Sequence, residues 1–235
     1  MSARAALDQV KRIGTGLSFI VFPLVWVFAF ALHPGLLQPR LLLGPQELIL
    51  RAHGNGLLQL GHVLVTLDAA LLVPISLHFM RLLDDTPAAW TGTVGAVLSI
   101  LGAFLLAAEK GALCLAMSAL DTLPDKDFAP MLPGLVAIFS FKGWMALTLG
   151  LLLMPLGTIV QGVGLWREKA VPRWQSGLLL ASLLGIAFPD GSEIINLTAA
   201  VALSAALAPY GVGLLAKEGR RPDAGQPLQP TTSER

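Results

Sequence analysis

The chain is built from long apolar runs separated by short polar connections, and the runs show no strict apolar–polar alternation. About 20 apolar residues suffice for a helix to cross roughly 30 Å of hydrocarbon. Backbone groups in lipid must be paired within helices or closed barrels, and runs without alternation select helices. The pattern predicts an all-α, polytopic transmembrane helix bundle of six spans, at about residues 13–32, 57–79, 90–112, 142–166, 173–188 and 193–216. Residues 1–12 form a polar N-terminal segment. Residues 217–235 form a polar, proline-bearing tail with nothing to bury, expected to be disordered.

The connections sharpen this outline. No small-residue cleavage site follows the first run, so it reads as a retained span and not a cleaved signal. Residues 33–56 are too long for a tight turn; Pro45 is placed to open a short helix, and QELILR reads as a segment lying on the outer membrane surface. Helix-compatible sequence continues from Trp90 to Leu120, about 46 Å at 1.5 Å per residue, and again from Met131 to Trp166, with DTLPDKDFAP as the tip between them. The third and fourth helices are therefore expected to extend beyond the outer face as a hairpin. In that hairpin Glu109 and Lys142 fall at similar depth, beside Lys110, either neutralising each other or serving as ordinary interfacial charges. The fifth span is short. Asp190 and Glu193 have the spacing of a capping box at the start of the sixth.

Charge orients the bundle. With both ends inside, eleven of the sixteen basic residues lie on the inner side; the other five are Arg40, Arg51, Lys110, Lys126 and Lys142. Trp90, Trp166 and Trp174 all fall at the inner interface, where an aromatic belt belongs. Composition agrees: 54% of the residues are hydrophobic and 13% charged, about half the charged fraction of a soluble domain. The net charge of +1, without a basic stripe, argues against nucleic acid as a partner. Cys114 is the single cysteine, which excludes an intrachain disulfide framework and a CxxCH haem-attachment site. The sequence carries no duplicated half of the kind found in many secondary transporters.

The residue with the sharpest chemical implication is Asp68, 11 residues from either end of the second span and about 16 Å along its axis. No Lys or Arg is expected at that depth, so desolvation favours a protonated or water-contacting carboxyl that hydrogen-bonds to mid-membrane polar groups. Candidate partners by depth are Ser99, Thr158 and Ser204, with carbonyls freed near Pro23, Pro74 and Pro155. A structural interhelical hydrogen bond accounts for such a residue as well as a functional site does. His62 and His78 lie 16 residues apart on one helix, about 24 Å, too far to share a metal. No HExxH or similar spacing occurs, so neither metal nor other cofactor is expected. His33 and His53 flank the outer connection, where His62 approaches them; Gln59, His62 and Thr66 share a helix face as a polar seam. His62, Glu109, Lys142, Glu193 and Asn196 form a second polar group toward the outer side. No nucleophile–base spacing stands out among them, and PDGSE lacks the GxSxG elbow. Glycines 150, 157, 162 and 164 favour close helix packing.

ARAALDQVKRIGTGLSFIVF and LGTIVQGVGLWREKAVPRWQSGLLLASLLG resemble an uncharacterised bacterial family of six-span integral membrane proteins, a domain of unknown function. The resemblance implies a bacterial cytoplasmic (inner) membrane and no mechanism. The expected role is a binding, sensing or transport-related module with a small polar intramembrane site. The alternatives are a membrane-embedded enzyme acting on a lipid-like substrate, or a structural subunit of a membrane complex. Expected partners are membrane lipids, a small hydrophobic or lipid-like ligand, and further copies or subunits.

Overall fold

The computed structural model describes residues 3–33, 36, 45–139, 145–187 and 193–216, and all regular structure among them is helical. In chain order the helices are α1 (Ala3–Ala31), α2 (Pro45–Ala52), α3 (Gly56–Asp68), α4 (Leu72–Leu83), α5 (Ala89–Leu120), α6 (Asp125–Phe128), α7 (Leu132–Phe139), α8 (Met145–Glu168), α9 (Arg173–Ala187) and α10 (Glu193–Ala216). Single 3₁₀ turns at Ala69–Leu71 and Ala129–Met131 join α3 to α4 and α6 to α7.

Five of these stretches are long and apolar enough to cross a membrane: α1, Gly56–Leu83 (α3 with α4), α5, Leu149–Glu168 within α8, and α10. The surface supports the same reading. Val94, Val97, Leu101, Phe104 and Leu115 recur at spacings of three, four and eleven residues along α5, and all are exposed, Leu115 by 73%. An apolar stripe that covers a helix from end to end belongs against lipid and not water. α9 is shorter, 15 residues, and Phe188 of the expected fifth span lies outside the described residues.

Close backbone approach organises the bundle. A Cβ added at Gly102 would collide with Met154 N, one at Gly157 with Ser99 N, and one at Gly150 would stand 2.5 Å from Leu106 N. Glycines 150, 157 and 164 repeat every seven residues along the face of α8 that meets α5, so the two backbones touch where side chains would normally intervene. α1 and α10 meet similarly: a Cβ on Gly211 would come within 2.6 Å of Gly16 O. Arg12 seals this pair by donating from Nη1 to Leu214 O and Leu215 O at 3.3 Å each. α9 packs between α8 and α10, while α3 and α4 fill the space between α1 and α5. Phe19, Phe22, Trp26, Leu72, Phe79 and Leu203 lie at the centre. The ends can be matched. Gly164 near the end of α8 meets Leu83 at the end of α4 and Thr91 at the start of α5, at one end of the bundle; His33 after α1 and His62 near the start of α3 meet at the other.

At that other end a second, separate core joins Ile49, Ala52, Leu58, Met117, Phe128 and Leu135. It forms a cap, and it revises one expectation. QELILR does not simply lie on the membrane: α2 begins at Pro45 as expected, but it buries Ile49 and Ala52 against α7. α5 runs unbroken for its 32 residues. The expected tip, DTLPDKDFAP, holds the short α6 after Pro124 and a 3₁₀ turn around Pro130, because a proline removes a backbone donor and displaces the preceding turn, and α7 follows from Leu132. Residues 140–144, which include Lys142, lie outside the described residues, as do Asp190 and the 217–235 tail.

Candidate functional site

Pro74 accounts for the geometry around Asp68. It lacks the N–H that would reach Ala70 O, and its ring crowds that carbonyl. The helix tightens to 3₁₀ over Ala69–Leu71, one turn before Pro74, and the N–H of Leu72 bonds to Ala69 O and Ala70 O. Asp68 is the last residue of α3, on the edge of this irregularity. Two turns earlier Gly61 packs against Ala29, so the Asp68 face of α3 is the face that meets α1.

Asp68 is 3% exposed. The indole of Trp26 on α1 approaches its carboxyl, yet Trp26 Nε1 and both Asp68 oxygens lack a hydrogen-bond partner among the described residues. The partners expected from depth are engaged elsewhere. Ser99 and Thr158 bond to each other at 2.8 Å across the α5–α8 contact, and Thr158 also donates to Met154 O. Ser204 donates to Ala200 O within its own helix. Trp26 and Leu72 also line a cavity of about 10 Å³, room for roughly one water, together with Phe22, Phe79 and Thr158. Asp68 is thus enclosed, with no open passage among the described residues.

A second polar group occupies the end of the bundle where α1, α3 and α10 converge. His33 Nδ1 lies 3.0 Å from Glu193 Oε1, and the His33 ring meets the His62 ring edge-on, with centroids 5.8 Å apart. Glu193 is 5% exposed; its Oε2, His62 Nδ1 and both amide atoms of Gln59 lack partners among the described residues. Lys110 brings its charge close enough to act on His62. One oxygen of the Glu193 carboxylate is committed to a histidine 160 residues away; Asp190, its expected capping-box partner, lies outside the described residues.

The remaining candidates divide. Gly111 faces Thr66 and Cys114 donates to Gln59 O, which fixes the side of α5 that meets α3. Glu109 precedes Gly111 by two residues, about 200° around the helix, and so leaves on the opposite side from His62. Asn196 sits one turn beyond Glu193 and is partly buried. Lys142, and with it the Glu109–Lys142 pairing, lies outside the described residues. His53 joins the cap and not the His33–His62 group. Toward the opposite end His78 Nε2 lies 2.8 Å from Tyr210 Oη, with Phe19 edge-on to both rings.

Two participants escaped sequence reasoning. His33 had been located but not paired, since nothing local links it to Glu193. Gln161, fully buried, donates from Nε2 to Ser76 O at 2.9 Å and Gly92 O at 3.1 Å, tying α4, α5 and α8 together; an amide inside an apolar run was its one visible signal. No group of three or more metal-ligating side chains poised to hold an ion occurs among the described residues. Comparison of the chain with protein-family models, with curated proteins and with solved structures finds no match.

Proposed function

We propose that the chain is a six-pass protein of a bacterial inner membrane, with both termini cytoplasmic, acting as a binding, sensing or transport-related module around an occluded polar site at Asp68. The site takes a proton or a small polar ligand within reach of Trp26. One observation carries the reading: a carboxyl at 3% exposure, with no hydrogen-bond partner for either oxygen among the described residues, beside the 3₁₀ interruption of its helix. A carboxyl kept only for helix packing would be expected to hold an interhelical hydrogen bond, as Ser99, Thr158 and Gln161 do. The 3₁₀ turn supplies a place where the wall can move.

Infrared spectra of the reconstituted protein test this. A carboxylic-acid carbonyl band that is missing in Asp68→Asn, and that shifts on transfer to D₂O, is the expected result. A band that never shifts means that water does not reach the residue, and leaves a structural subunit as the better reading.

The His33–Glu193 pair favours a second reading, an enzyme acting on a lipid-like substrate. A carboxylate that fixes a histidine's orientation is the arrangement a general base requires. Extracted lipid incubated with the protein and with His33→Gln separates the two readings, because only an enzyme changes the lipid masses.

A further inference from the structure

One histidine pins the junction of α2 and α3 to the corner between α5 and α6. His53 Nδ1 lies 3.0 Å from Asp121 Oδ1 and Nε2 lies 3.6 Å from Asp125 Oδ1. Its ring stacks on Phe128 with centroids 3.7 Å apart and planes at 14°. Gly54, at φ +71°, turns its own N–H onto the same Asp121 oxygen at 2.9 Å. The other charges of the cap are directed elsewhere: Glu47 and Arg51 pair with each other on α2, and Lys126 and Asp127 of α6 stand in solvent. α7 and the first turns of α3 carry no titratable residue before His62. Among the described residues, Asp121 and Asp125 are thus the charges that face His53.

The pin closes over something. Leu58 and Met117 belong to the cap core, and immediately beneath them the Cys114 thiol donates to Gln59 O at 3.6 Å, beside the unpartnered Gln59 amide and one turn from His62. We propose that the cap formed by α2, α6 and α7 is a pH-sensitive lid over the outer end of the α3–α5 seam, closed when His53 is protonated and loosened when that proton leaves. An imidazolium donates from both nitrogens and so holds both aspartates; the neutral ring has one N–H to give. With that N–H on Asp121, Nε2 turns a lone pair toward Asp125, and the Asp121 bond loses its charge assistance. The latch is complete on the acid side and is lost as pH rises. The lid governs access to the seam whether or not Asp68 binds a ligand.

Cys114, the single cysteine and a buried one, reports directly on the seam. The intact protein is labelled with a water-soluble, membrane-impermeant maleimide at about pH 5.5 and about pH 8, either side of the usual histidine range. Each rate is divided by that of the denatured chain at the same pH, which removes the thiol's own pH dependence. The wild-type ratio is expected to rise roughly two- to five-fold toward the higher pH, the span of an exposed or half-exposed ion pair. His53→Gln should label fast at both values. A flat wild-type ratio, or a pH dependence that survives His53→Gln, overturns the proposal. Should His53→Gln fail to fold, Asp125→Asn at a solvent-exposed position decides: its pH contrast should shrink, and an undiminished contrast is equally fatal.

Discussion

Asp68 and Gln161 are both buried polar side chains within apolar helices, and their surroundings assign them opposite energetic roles. Gln161 donates to two backbone carbonyls on neighbouring helices, with only its Oε1 left without a partner among the described residues, whereas neither oxygen of Asp68 holds a hydrogen bond among those residues to offset the desolvation of its carboxyl. Gln161→Leu is therefore expected to lower stability by about 1 kcal/mol, in the range of interhelical hydrogen bonds in membranes. Asp68→Leu, which removes an uncompensated group of similar size, should raise stability by about 1–3 kcal/mol while abolishing the exchangeable carboxyl signal. Thermal unfolding of the two variants in the same detergent reads both signs; a destabilised Asp68→Leu would reveal a partner for the carboxyl and remove the case for a binding site. Sequence reasoning reaches the depth and cost of Asp68, because those follow from position within one run. It assigns the wrong partners, because Ser99 and Thr158 find each other across a glycine contact that depth alone does not reveal.

The helices differ in how plainly the sequence announced them. α5 was legible from end to end, an uninterrupted helix-compatible run, and α2 from its opening proline. The cap was not, since its core joins residues as distant as Ile49, Met117 and Leu135, whose contacts depend on how the outer connections fold back. The tip between α5 and α7 was legible from Pro124 and Pro130, which mark DTLPDKDFAP as a connection. The α5–α8 contact makes the strongest prediction about an element. Gly157→Leu must push the α8 backbone away from Ser99 N and Gly95 O and so separate the two helices along their length. Gly14→Ala, on a helix position with nothing within 4 Å of the new Cβ, should be neutral or stabilising by about 0.5–1 kcal/mol. Size-exclusion chromatography of fluorescent fusions should show the monodisperse peak lost in the first variant and kept in the second. A well-folded Gly157→Leu would mean that the helices do not pack through their glycines.

Parity links the folded chain to its orientation in the membrane. The start of α1 lies against the end of α10: Gly16 meets Gly211, and Arg12 bonds to the carbonyls of Leu214 and Leu215. Both ends of the bundle sequence therefore share one side, which requires an even number of crossings. Five stretches are long and apolar enough to cross, so under the six-pass proposal the sixth crossing falls to α9, which leaves the end of the bundle where α8 stops and leads toward the end where Glu193 of α10 meets His33. Its 15 residues cover about 22 Å, short of a roughly 30 Å core, and the bilayer must thin locally or the flanking segments must complete the passage. α9 is protected from the mismatch by its neighbours, since Leu179 and Leu183 pack into the core between α8 and α10. Under the same proposal the basic residues set the sign, with Arg167, Lys169 and Arg173 on the cytoplasmic side with Arg4, Lys11 and Arg12. Reporters that are active only in the cytoplasm should work when fused after Lys169 or after Ala216 and fail when inserted after Lys126. A fusion after Ala216 that works only outside the cytoplasm, alongside one after Lys169 that works inside, would mean that α9 does not cross and that the α1–α10 contact cannot form as described.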